Sequence, residues 1–189
     1  MSRPVFWALS LPALLVALVS WRVFFLPMDL VMPEMGAYLR DVPLGVWGHV
    51  IFAPIALALV PLQLRRAKGA LHRWAGRAYG VSVLVAGIAA LSLLPVSVAS
   101  DLARWGFGVL AVLWIATTAL GIAAARRGDF AAHRVWMLRS VALTFAAVSL
   151  RVIMAPLMAL GWTVAETYQV TAWGSWLLTL AVVEIARKR

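Results

Sequence analysis

The chain has 189 residues, of which 64% are hydrophobic and only 13% charged. A soluble domain is nearer half apolar and a quarter charged, so this much apolar surface exceeds what one water-facing core can hide, and part of the solvent must be lipid. The formal net charge is +10 and there is no cysteine. The first fact argues for membrane orientation rather than nucleic acid, because the bases come in short clusters between apolar runs. The second excludes disulfides, thiolate metal sites and cysteine nucleophiles.

Six apolar runs follow one another, at residues 4–26, 47–64, 69–98, 103–125, 133–160 and 170–186. Each matches the ~20 residues that cross a bilayer as a helix. The first is longer than the apolar region of a signal peptide, and Leu18 and Ser20 make a poor cleavage site, so a retained first helix is expected. Between the first two runs, Asp29, Glu34, Arg40, Asp41 and three prolines mark a loop, with a short interfacial helix around Glu34–Leu39. The second run contains Pro54 and Pro61, tolerated in a membrane helix where neighbours satisfy the freed carbonyls. The fold class predicted is an all-α membrane protein forming one integral domain over residues 1–189. It has six transmembrane helices, with the second to fifth as a four-helix core and the first and sixth peripheral.

Orientation follows from charge. Arg3, the two Arg-Arg loops with Lys68, and Arg187-Lys188-Arg189 fall on one side, while Asp29, Glu34, Asp41, Asp101 and Glu166 fall on the other. Lys and Arg are retained in the cytoplasm, so both termini are expected there, in a multi-pass protein of a bacterial inner membrane. Trp47, Trp105, Trp162 and Trp173 fall at expected outer ends, and Trp74 and Trp136 at inner ends, as indole prefers the interface.

The two basic loops repeat. Arg65-Arg66 precedes His72-Arg73 as Arg126-Arg127 precedes His133-Arg134, at a constant offset of 61 (His133 against His72). Each copy joins two runs into a hairpin. A parallel repeat of hairpins implies a pseudo-twofold axis along the membrane normal; two unrelated basic loops would carry the same charge pattern without it.

Few residues can carry chemistry. His72 and His133 sit at equivalent helix mouths and are expected to face each other, as ligands to a haem iron or a metal or to an amphiphile headgroup. The plainer reading is interfacial imidazole bonding lipid or backbone. Arg73, Arg77, Arg134 and Arg139 surround them and would serve haem propionates and lipid phosphates alike. His133 and Arg151 are eighteen residues apart, five turns, with Ser140 and Thr144 on the same face between them. Arg151 is therefore expected to face the bundle or a wet cavity, with an outer-leaflet anchor as the alternative. On the second run, His49 and Gln63 repeat this theme weakly, and Gln63 needs a hydrogen-bond partner within its apolar surroundings. No paired carboxylates, phosphate loop or catalytic triad stand out, so no enzymatic activity is assigned.

His49, Pro61-x-Gln63, His72-Arg73-x-x-Gly76-Arg77-x-Tyr79 and His133-Arg134-x-Trp136-Met137-x-Arg139-Ser140, continuing to Arg151, resemble a bacterial membrane family. It is known as domain of unknown function 2306. The resemblance implies an integral membrane protein and no particular activity. A more distant likeness is to the six-helix transmembrane b-type cytochromes, which hold two haems between histidines of alternate core helices. His72 and His133 match one such pair. His49 has no matching histidine on the fourth helix, so the likeness leaves at most one haem b, unless Met154 or Met158 replaces the missing ligand. The partners these readings imply are the bilayer and, by class, a quinone, a lipid or a redox protein.

Overall fold

The structure, a computed structural model, describes residues 3–31, 35–65 and 69–188, and all regular structure among them is helical. Glu34, Arg66, Lys68 and Arg189, which entered the charge argument, lie outside the described residues. Six helices are long and apolar enough to cross a membrane. They are α1 (Arg3–Ser20, extended by a 3-10 turn at Trp21–Phe24), α4 (Pro43–Leu64), α5 (Ala70–Leu93), α6 (Asp101–Arg126), α7 (Phe130–Ala159) and α8 (Val164–Lys188). Two short helices, α2 (Met28–Val31) and α3 (Met35–Asp41), fill the loop after the first span.

Helix ends shift from their expected places for local reasons. Helix α4 starts at Pro43, four residues early, because proline at the first helical position loses an N–H that would have no partner anyway. Helix α5 stops at Leu93, five residues short, just before Pro95, which cannot continue a helix. Helix α7 begins at Phe130 because the Asp129 carboxylate accepts from the Ala132 N–H at 2.9 Å. Gly128, at φ +78°, makes the preceding turn, a conformation that β-carbons resist. Helix α8 begins six residues early, at Val164. Glu166 accepts from the Thr163 N–H at 2.7 Å and the Thr163 hydroxyl accepts from the Glu166 N–H at 3.3 Å, a reciprocal cap.

The chain divides into two compact units, Met1–Val96 and Ser97–Arg189. In the first, α4 packs against both α5 and α1. Val23, Tyr38, Val46 and Val50 cluster with Leu93 and Val96, so the end of α1, the start of α4 and the end of α5 share one level. Arg3, the end of α4 and the start of α5 therefore lie at the opposite, basic end. In the second unit α7 packs against α6 and α8, and α6 also meets α8. Ala99, Ala103 and Ala172 cluster with Phe107, Tyr168 and Trp173 where α6 and α8 begin. The other end of that unit holds Arg139 and Glu184. Both expected hairpins are thus present, and each has a third long helix packed on it within its own unit.

Candidate functional site

Each unit presents one copy of the Arg-Arg…His-Arg sequence at its basic end, and the two copies are built differently. In the second unit, His133 lies one turn into α7, and its Nδ1 is 2.8 Å from the Gly121 carbonyl of α6. A carbonyl can only accept, so Nδ1 carries a proton, and in the neutral ring Nε2 then keeps its lone pair. Gly121 also permits close approach: a β-carbon there would lie 2.8 Å from Met137 Sδ. Arg139 donates to Glu184 of α8 from Nε at 2.6 Å and from a terminal nitrogen at 3.3 Å, while Arg187 holds the other carboxylate oxygen at 2.9 Å. The Arg139 guanidinium also lies 4.7 Å above the Trp136 ring.

Glu184 pairs with Arg187 and also ties α8 to α7. Arg139, expected among the ligand-binding arginines, is committed to that tie. Arg134 remains exposed.

In the first unit, His72 occupies the first turn of α5 and Gln63 the last turn of α4. Both residues are half-buried, yet His72 Nδ1 and Gln63 Nε2 are cut off from solvent without a hydrogen-bond partner. They lie close to one face of α5. A β-carbon built on Gly76, one turn after His72, would be 3.9 Å from Gln63 Oε1. Arg65, Arg73 and Arg77 are exposed around them, and the Arg77 guanidinium stacks 4.8 Å above Trp74. Tyr79 is fully buried two turns along α5. His49 sits elsewhere, early in α4, where its Nδ1 donates to the Ala86 carbonyl of α5 at 3.1 Å. It therefore helps hold the α4–α5 hairpin together.

The polar face of α7 splits in two. Ser140 and Thr144 are buried and form a closed network with α6. Trp114 Nε1 donates to Thr144 at 2.8 Å, and Thr144 donates to the Ser140 carbonyl at 2.9 Å. Thr118 gives its one proton to the Trp114 carbonyl at 2.8 Å, so Ser140 donates across the 2.6 Å contact to Thr118. These hydroxyls bond α7 to α6. Arg151, expected to face the bundle, is instead an exposed residue that donates to the Ala147 carbonyl one turn back at 2.9 Å.

Sequence reasoning paired His72 with His133. The two lie in different units, and His133 is bonded to Gly121 of its own. What it missed is a Trp-x-x-Arg pair in both copies, Trp74/Arg77 and Trp136/Arg139, whose three-residue spacing stacks cation on indole along a helix. It was legible, but at an offset one residue longer than that of the histidines. Among the described residues no three His, Asp or Glu side chains gather as a metal site.

Comparison with known proteins adds a family and no activity. No curated protein and no solved structure matches the chain, and so the likeness to b-type cytochromes gains no support. A family model does match, over residues 46–186, a stretch that takes in both hairpins and their histidines. This chain belongs to the predicted membrane proteins of the DUF2306 family.

Proposed function

We propose that this is a membrane-embedded binding protein whose ligand engages the basic end of the first unit through His72 and Gln63. The supporting observation is the pair of buried, unpartnered nitrogens, His72 Nδ1 and Gln63 Nε2. An amide or imidazole N–H taken out of water without an acceptor costs about 1–3 kcal/mol on mutational scales. Two such nitrogens, one in the last turn of α4 and one in the first turn of α5, fit a small molecule that supplies acceptor oxygens. Headgroups of lipids and the carbonyls of quinones both do so, and the spans leave an apolar tail in its preferred solvent. Arg65, Arg73 and Arg77 would attract such a molecule.

The test is to extract the small molecules that co-purify with wild type, Gln63→Ala and His72→Ala and compare them by mass spectrometry. One amphiphile present in wild type and depleted at least severalfold in both variants is the expected result. Identical extracts from all three would reject the site.

A second reading, haem ligation and electron transfer, is favoured by one observation. The His133 Nδ1–H bond to Gly121 leaves Nε2 as a lone-pair donor of the kind that ligates iron. Such a site needs a second axial ligand, and haem b would supply one-electron chemistry. The absorption spectrum of the same wild-type preparation decides it. A Soret band lost in His133→Ala would establish the haem reading, and a featureless visible spectrum after expression with ample haem would end it.

We also propose that the Arg-Arg loops face the cytoplasm of a bacterial inner membrane. Reporter fusions after Arg66, Arg127 and Arg189 should read as cytoplasmic, and fusions after Asp41, Asp101 and Glu166 as external. The reverse pattern would invert the orientation.

A further inference from the structure

The two copies of the basic repeat differ in a consistent direction. In the second copy every exacting group is answered from within the unit. Asp129 caps the start of α7, His133 Nδ1 donates to Gly121, and Arg139 is neutralised by Glu184. In the first copy the corresponding groups are unanswered. Gly69 precedes α5 with no side-chain cap, His72 Nδ1 has no partner, and among the described residues Arg77 meets no carboxylate. The sequence gives the reason. Between Asp41 and Asp101 there is no acidic residue, while Arg65, Arg66, Lys68, Arg73 and Arg77 all fall in that interval.

Positive charge alone would only set topology. The buried nitrogens add what topology does not need. Among the described residues two other buried side-chain polar atoms lack partners, the hydroxyls of Ser10 and Ser175. Each lies within a helix, where rotation can offer its proton to a carbonyl one turn back. The Gln63 amide and the His72 ring have no such local outlet.

We propose that the first hairpin binds a phosphate-type oxyanion at Gln63 and His72, which supplies from outside the negative charge that Asp129 and Glu184 supply within the second unit. This rests on the binding reading above and narrows its ligand from any acceptor-bearing amphiphile to one with an anionic headgroup. A phosphate oxygen can accept from Gln63 Nε2–H and His72 Nδ1–H together, and charge-assisted bonds of this kind are about twice as strong as neutral ones. Arg73 and Arg77 would neutralise the remaining charge. The phosphate can belong to a lipid or be free, and the same chemistry recognises both.

The experiment uses the full chain, delipidated in a neutral detergent. It is titrated with mixed micelles containing phosphatidic acid, with micelles containing diacylglycerol, and with inorganic phosphate. Phosphatidic acid is expected to bind wild type, and to bind Gln63→Ala and His72→Ala about tenfold more weakly, a loss of about 1.4 kcal/mol. Arg104→Gln, at the opposite end of the second unit, should bind as wild type does. Gln63→Glu places a carboxylate beside His72, so it should lose the response to phosphatidic acid and gain heat stability without ligand. Should His72→Ala not fold, His72→Gln keeps a donor there and should retain part of the affinity.

Competition by inorganic phosphate would show that the headgroup suffices; its failure to compete would assign the site to a lipid, and either supports the proposal. Binding of phosphatidic acid that is indifferent to Gln63 and His72 would overturn it as mere surface attraction. Preference for diacylglycerol, lost in both alanine variants, would overturn the oxyanion but keep the binding site. No ligand response dependent on Gln63 or His72 would remove both.

Discussion

Glu184→Leu is expected to destabilise the second unit by about 1–3 kcal/mol, the range for losing hydrogen bonds to a charged group. The carboxylate takes two bonds from Arg139 and one from Arg187, and all three side chains are roughly a third exposed or less. Removing it leaves Arg139 with only the Trp136 ring at 4.7 Å. Full burial would raise the cost and full exposure would nearly abolish it, so the middle of the range applies. Arg139→Leu should cost a similar amount. The double variant should cost less than the sum, because the second substitution removes a charge already left without its partner. Thermal unfolding in detergent measures all three. Strict additivity would mean that the 2.6 Å contact contributes nothing to holding α8 on α7. Glu184→Gln adds a functional readout: with Arg139 released, the second unit should gain an affinity for phosphatidic acid.

Gly106→Val is the second large effect expected. Helix α6 approaches α8 so closely at Gly106 that a β-carbon would lie 2.8 Å from Trp173 Nε1 and 2.9 Å from the Ala172 carbonyl. The Trp173 ring is also held against α6, since its Nε1 donates to the Leu102 carbonyl, one turn before Gly106, at 2.9 Å. A flexible side-chain tip could move aside, but a backbone carbonyl can do so only if α8 itself shifts. Overpacking of this kind costs about 1–3 kcal/mol, with the lost indole bond adding about 1. Gly106→Ala should show a smaller part of the same loss. Unfolding curves of both variants that overlay wild type would contradict the close approach of α6 and α8.

Membrane spans are legible in this chain because the bilayer reads composition and length alone. Six runs and the charge alternation at their ends required no tertiary knowledge. The helix starts were legible too, although less fully used: Asp129, and Thr163 with Glu166 three residues later, are local capping signals that moved α7 and α8 earlier than hydropathy placed them. The repeat of Arg-Arg and His-Arg was visible, and so was the absence of carboxylates between Asp41 and Asp101.

Which groups remain unsatisfied could not be read along the chain. His49, His72 and His133 look alike in sequence, each a lone imidazole near the end of an apolar run. Two donate to a carbonyl of the neighbouring helix in their own unit, Ala86 or Gly121, and one does not. Arg77 and Arg139 likewise share a stacked indole, but only Arg139 finds a carboxylate, 45 residues further along the chain. Lipid sorts residues by how polar they are, so sequence determined where helices lie and where charge collects. Hydrogen bonding sorts them by distance and angle between helices, so only tertiary structure decided that His133 and Arg139 have partners within their unit while His72 Nδ1 and Gln63 Nε2 have none.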